Sequence, residues 1–223
     1  MPRPHALIVG TGPGLSASLA RKLAAEYDLT LTARNTDKLA DLAAETGART
    51  VALDGSDPAA MADLFAGLPG PLRVAVYNPS ARQRGPIAEL DPETVRKAVE
   101  VTAFGSFLLG QQAAKAMAGN DGPHRGTILF TGASAGVKGF PQSAPFAMGK
   151  FAQRGLAQSM ARELHPKGIH VAWINIDGAI GDRGETGDRL NPDAIAEAYL
   201  QLIAQPISTW SHEITLRPMN EGF

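Results

Sequence analysis

Gly10-Thr11-Gly12-Pro13-Gly14-Leu15 places three glycines within five residues, between the apolar run Ala6–Val9 and an alanine-rich stretch beginning Ser16-Ala17-Ser18-Leu19-Ala20. Glycine tolerates positive φ and lets backbone approach a ligand closely. A turn of this kind entering a helix presents free N–H groups and the positive end of the helix dipole to a pyrophosphate. The simpler alternative is a tight strand-to-helix turn with no ligand, but the position at the first such junction favours nucleotide binding. At the end of the next apolar run, Leu31-Thr32-Ala33-Arg34-Asn35 contains no acid. A carboxylate there would hold the ribose hydroxyls of NAD, whereas an arginine pairs with a 2′-phosphate through parallel hydrogen bonds. Unless Arg34 is a solvated turn residue, NADP(H) is the expected cofactor.

A second chemical feature lies far downstream. Lys150 follows Phe146 by four residues, so the two share one helical face, and Ala147-Met148-Gly149-Lys150-Phe151-Ala152 offers the lysine no charged neighbour. Solvated lysines usually have polar company, which points to a ribose contact rather than a surface role. Arg82 and Arg84 lie in an irregular stretch and could attract an anionic substrate, though loop arginines are commonly just solvated.

These residues need a scaffold that brings strand ends together. Short apolar runs alternate with longer amphipathic ones, the pattern of βα units in a parallel sheet. The predicted strands are 6–10, 29–33, 49–53, 72–77, 127–131, 169–176 and 213–216, several without alternation because both faces are covered. Asp57-Pro58, Asp91-Pro92 and Asn191-Pro192 each set a capping side chain before a proline at a helix start, while Pro166 and Gly168 stop the long helix that begins near Pro145. The expected architecture is one Rossmann-type α/β domain over residues 1–223, a doubly wound parallel sheet of about seven strands with helices on both faces. The irregular stretches 78–89 and 178–190 follow predicted strands at the carboxyl edge, where such sheets bind ligands.

Composition narrows the function classes. The 223 residues carry 21 Lys plus Arg against 22 Asp plus Glu, so no positive field favours nucleic acid or an anionic membrane. The chain has no cysteine, which removes disulfides and thiolate zinc sites, and its five histidines lack ligand spacing. The apolar run after His5 is too short for a signal or membrane span. The expectation is a cytoplasmic protein with no metal and no membrane or nucleic-acid partner.

With these motifs in place, the chain resembles the short-chain dehydrogenases/reductases almost end to end. The glycine turn resembles the family's cofactor turn, with Ser16 where the last glycine usually stands. Asp54 corresponds to the aspartate that meets the adenine ring, Asn78-Pro79-Ser80 to the Asn-Ala-Gly motif, Ile128-Leu129-Phe130-Thr131-Gly132 to the strand entering the active site, and Asp177-Gly178 to a Pro-Gly pair near the nicotinamide. The resemblance implies cofactor contacts at Gly10, Thr11, Gly12, Pro13, Gly14, Leu15, Arg34, Asn35, Asp54, Asn78, Lys150 and Gly178. The family's catalytic Asn, Ser, Tyr and Lys correspond to Thr102, Ala133, Phe146 and Lys150, so only the lysine persists. Ser134 is one residue out of register and Ser143 lies three before Phe146. Lys150, Thr102 and Ser134 are the candidates for any catalytic role.

A phenyl ring has no proton to donate to a growing alkoxide, and a positioned acid contributes about 10²–10⁴-fold to such a step. Tyrosine-dependent carbonyl reduction is therefore expected to fail while cofactor binding persists. Three readings follow: a divergent NADP(H) oxidoreductase with another route for the proton, an NADPH-binding sensor or regulatory module without chemistry, and a structural subunit paired with an active homologue. Gly181–Asp188 resembles the family's substrate lid or is a passive loop. Two helices rich in small residues, from Ala98 to Ala114 and from Ala147 to Ala157, form the dimer interface in the resembling family, which implies a homodimer or homotetramer, unless their smallness serves packing onto the sheet.

Overall fold

The computed structural model describes residues 3–181 and 187–222. Strands β1 (His5–Val9), β2 (Asp28–Ala33), β3 (Arg49–Ala52), β4 (Leu72–Tyr77), β5 (Gly126–Thr131), β6 (Ile169–Ile176) and β7 (Glu213–Leu216) form one sheet in the order β3-β2-β1-β4-β5-β6-β7. Every pairing is parallel. The chain runs outward from β1 to β3, then crosses back to place β4 on the other side of β1. That reversal opens a crevice at the carboxyl ends of β1 and β4, the position where open α/β sheets accept ligands.

The absence of alternation in the central strands follows from burial on both faces. Along β1, Ala6 and Ile8 face one core while Leu7 and Val9 face the other. The first core is closed by α1 (Leu15–Leu23), α2 (Ala40–Thr46) and α7 (Pro192–Ile203), the second by α3 (Pro58–Ala66), α5 (Gly105–Ala118) and α6 (Ala144–Leu164). Asp57 accepts from Ala59 and Ala60 N–H, Asp91 from Thr94 N–H at the start of α4 (Pro92–Val99), and Asn191 from Asp193 N–H, as their positions before proline predict. After Leu164 one 3₁₀ turn, His165–Lys167, ends in Gly168 at φ +82°, where a Cβ would lie 2.5 Å from the Pro123 carbonyl oxygen.

The segment read in sequence as one helix from Ala98 to Ala114 departs from regularity. Between α4 and α5, residues Glu100–Phe104 form a π turn. Such a bulge frees main-chain carbonyls, and the Tyr77 hydroxyl donates to that of Val101 at 2.6 Å. Gly105 permits this, since a Cβ there would collide with the Tyr77 hydroxyl. Tyr77 ends β4, so the bulge is locked to the carboxyl edge of the sheet.

Candidate functional site

At the end of β1, Gly10 has φ +80°, and a Cβ on it would stand 2.5 Å from Cγ of Pro79. Only glycine fits where the two strand-end loops touch. Gly12 and Gly14 differ: a Cβ on either meets nothing within 4 Å, so the space over the turn is open. No side chain caps α1, whose N-cap is Gly14, in contrast to the capped starts of α3, α4 and α7. This uncapped helix start borders a cleft of about 600 Å³ lined by Pro13, Gly14, Ser18, Ile180, Gly181, Arg189 and Pro192, and such a start carries N–H groups without intrahelical acceptors. Leu15 is buried and anchors the helix start in the core. Main-chain N–H groups of Gly10 and Thr11 donate to the Thr32 carbonyl, at 3.1 and 2.7 Å.

Ser16 and Asn78 brace this turn. Asn78 Nδ2 donates to the Ser16 hydroxyl (2.7 Å) and the Gly10 carbonyl (3.1 Å), joining the ends of β1 and β4. The serine at the place of the family's third glycine therefore has a partner of its own.

At the end of β2, Arg34 is exposed and forms no ion pair with any described residue. Asp54 accepts from the Ser56 hydroxyl and N–H, at 2.6 and 2.9 Å, and these bonds, with a smaller contribution from Arg34, hold its carboxyl below the usual range. Asn35 Oδ1 accepts from Asp37 N–H at 2.9 Å, so its side chain braces the start of the following 3₁₀ turn.

Across the crevice, Phe146 is buried with Ala133 and Ala135 in a small apolar cluster separate from the two main cores. Lys150 lies one turn farther along α6 and is 2% exposed. Its Nζ donates to the Thr131 carbonyl at 2.5 Å and to Gln153 Oε1 at 3.2 Å, which commits two of its three hydrogens. No carboxylate is among these partners. Burial, reinforced by the charge of Arg82, pushes Lys150 down from 10.5 to about 7. Gln153 donates in turn to Ser106 (2.9 Å), and Ser106 donates to the Thr102 carbonyl (2.6 Å), so a polar chain runs from Lys150 to the π turn.

Thr102 is fully buried in that turn. Its Oγ1 accepts from Ala81 N–H at 3.1 Å, and its methyl side packs so closely on α6 that a Cβ at Gly149 would lie 2.8 Å from Thr102 Cβ. Thr102 and Lys150 belong to one cluster, while Ser134 lies apart. Its hydroxyl bonds the carboxylate of Asp177, which also accepts from Arg217 at 2.6 and 2.9 Å. Burial raises the Asp177 pKa, but the bonds from Ser134 and Arg217 outweigh it, and the net displacement is downward. Gly178, φ +154°, packs against Pro218, where a Cβ would approach Cδ to 2.7 Å. Ser143 is buried at the start of α6 without capping it through its side chain. Of the lid-like stretch, residues 182–186 lie outside the described residues.

Sequence reasoning missed Gln153 and Ser106, whose polarity inside helices was the only available signal, and the pairing of Asp177 with Arg217, distant by forty positions. It also missed Arg189 at the cleft beside the start of α1.

The short chain dehydrogenase profile matches residues 4–179, which is more than half of the chain. This chain belongs to the short-chain dehydrogenase/reductase family. L-2,3-butanediol dehydrogenase of Corynebacterium glutamicum is 32% identical over 188 residues, covering 79% of this chain and 71% of that protein. A short-chain dehydrogenase from Rhodopseudomonas palustris superposes with TM-score 0.85 at 37% identity, covering 97% of this chain and all of the other. A metagenomic short-chain oxidoreductase, solved in complex with NADP, gives TM-score 0.85 at 26% identity, covering 97% of each chain. Fold and family thus agree with the resemblance read from the motifs. No helix among the described residues is long and apolar enough to cross a membrane.

Proposed function

We propose that this family member binds NADP(H) and acts as an oxidoreductase that does not use a tyrosine acid. The observation that carries this reading is the open, uncapped start of α1 above Gly12 and Gly14, together with an unpaired Arg34 and no acid at the end of β2. The α1 N–H groups would hold the pyrophosphate and Arg34 the 2′-phosphate. The remaining Lys150 hydrogen would meet the nicotinamide ribose. NADP in the metagenomic relative supports the same choice of cofactor.

When bound, the dihydronicotinamide supplies a hydride. The side chains of Ala133 and Phe146 offer the reacting oxygen no hydrogen bond, so ordinary carbonyl reduction is slow at this floor. Lys150 holds a proton close to neutral pH and, through the ribose it would contact, is the candidate to relay that proton to the reacting oxygen. A second reading, an NADPH sensor without turnover, is favoured by the apolar cluster of Ala133, Ala135 and Phe146, which occupies the catalytic floor without a hydroxyl.

NADPH and NADH titrations followed by nicotinamide fluorescence test the cofactor assignment. We expect NADPH to bind at least 10-fold more tightly than NADH, and Arg34→Ala to remove that preference, a loss of about 1.5–3 kcal/mol. Equal affinities would refute the NADP assignment, and no binding of either would refute the functional reading. Transfer of deuterium from labelled NADPH to a metabolite separates the enzyme from the sensor.

The assembly belongs to the same proposal. Phe104 and Phe107 on the α4–α5 segment and Met148 and Phe151 on α6 are exposed, with the two phenylalanine rings stacked at 6.1 Å. Covering these apolar side chains in a homodimer or homotetramer fits the small-residue helices read in sequence. Light scattering that returns the 23.4 kDa mass of one chain would rule this out.

A further inference from the structure

The loop between β4 and α4 presents a cation that the NADP(H) assignment does not use. The Arg82 guanidinium carbon lies 4.6 Å from the centroid of the Phe146 ring, over the aromatic face at the floor of the crevice. That placement is supported from both sides of the loop. Ala81 N–H donates to Thr102 Oγ1 at 3.1 Å, and Gly85 N–H donates to the Gln142 carbonyl at 3.1 Å, tying the loop to the π turn and to the residues just before α6. The ring itself cannot yield, because Phe146 is buried against Ala133 and Ala135.

A guanidinium stacked on an aromatic ring keeps its edge free, and that edge carries the paired N–H donors that fit a carboxylate. Arg82 forms no ion pair or hydrogen bond with a described residue. Its charge reaches Lys150, whose own partners are neutral oxygens. The floor thus combines an apolar surface, a buried lysine and a seated arginine, with no carboxylate among the described side chains that touch them. With Lys150 engaged by the cofactor ribose, one cationic fork remains, which matches a single carboxylate.

We propose that Arg82, seated on Phe146, binds the carboxylate of the substrate, so that the protein takes carboxylate-bearing carbonyl compounds in preference to neutral ones. The proposal deepens the NADP(H) reading and rests on it. It gives the phenylalanine a function of its own: a flat, uncharged seat for a guanidinium over the apolar part of the floor. Tyrosine could form the same stack, so the assignment concerns the arginine, and the ring enters as its support.

The test uses the full chain. Pyruvate and methyl pyruvate, then 3- and 4-oxo acids with their methyl esters, are titrated by calorimetry into the NADPH-saturated protein and into the cofactor-free protein. Expected are tighter binding of at least one acid than of its ester by about 10-fold or more, loss of that difference in Arg82→Gln, and weakening with added salt. Phe146→Leu, which removes the ring but keeps an apolar side chain, should reduce the same difference severalfold. NADPH titration of each variant shows whether the crevice is still folded.

Equal affinity for acids and esters, no binding of any acid at millimolar concentration, or full retention of the preference in Arg82→Gln would overturn the proposal. Failure of wild-type NADPH binding would instead overturn the cofactor reading. In that event the titration on cofactor-free protein still decides whether Arg82 selects carboxylates.

Discussion

The glycine turn after β1 and the floor between β5 and α6 lie at the same edge of one sheet, yet they treat polar groups in opposite ways. At the turn, backbone donors are left without partners and the space above Gly12 and Gly14 stays open. At the floor, side-chain donors are missing at Ala133 and Phe146, the space between them is filled by apolar contact, and the surviving Lys150 is satisfied by Thr131 and Gln153. On the proposed reading, one end would hold a polyanion and the other a substrate that meets little besides a lysine and Arg82. The contrast teaches that pyrophosphate binding and chemistry in such a crevice are separable, because backbone donors would serve the first and individual side chains the second.

The strongest way to break the contrast is to restore the floor. Phe146→Tyr combined with Ala133→Ser should raise carbonyl reductase turnover by about 10²–10⁴-fold, the contribution of a positioned acid, measured by NADPH oxidation over a panel of carbonyl compounds. If the pair leaves turnover unchanged while NADPH still binds, more than these two side chains separates this floor from a working one.

The turn can be probed by two glycines that look alike in sequence. Gly10→Ala forces a Cβ into Pro79 at positive φ and should destabilise the fold by about 2–4 kcal/mol in urea melts. Gly12→Val points into open space, so stability should change by less than about 1 kcal/mol while NADPH affinity falls 10-fold or more. Equal losses of stability would mean that the two positions are not distinguished as the structure shows.

The remaining expectation concerns Lys150. Its folded pKa, about 7, lies below the ordinary 10.5, so the cost of burying its charge is absent above pH 10.5 and grows as pH falls toward 7. Lys150→Met should therefore stabilise the free protein at pH 7 by about 1–3 kcal/mol while weakening NADPH binding, and the stabilisation should shrink as pH rises from 7 to 10.5. Wild-type NADPH affinity should likewise decline as pH rises through 7 and the ammonium loses its proton. A destabilised Lys150→Met protein at pH 7 would show that the lysine is held by more than its two visible acceptors.

Much of the frame was legible before any coordinates. All seven predicted strands appear with ends shifted by at most one residue, because doubly covered strands are short apolar runs bounded by turn residues. Caps at Asp57, Asp91 and Asn191 were readable for the same local reason. The π turn was not, since Glu100–Phe104 has no breaker, and the bulge exists because Tyr77 and Gly105 meet there from separate elements. Within the site, Gly10, Gly12 and Arg34 were visible as types at strand ends. The different duties of Gly10 and Gly12, however, depend on Pro79, a residue of another loop.

What the sequence determined alone is the order of βα units, the absence of an acid beside Arg34, and the presence of phenyl and methyl groups at 146 and 133; these are consequences of residue type and local spacing. Tertiary structure decided which partners those groups meet: Asn78 with Ser16, Ser134 with Asp177, Lys150 with a strand carbonyl, and Arg82 with the ring of Phe146. Each of those pairs joins residues that are remote along the chain and neighbours only once parallel strands bring their carboxyl ends to one edge, and no local rule encodes that approach.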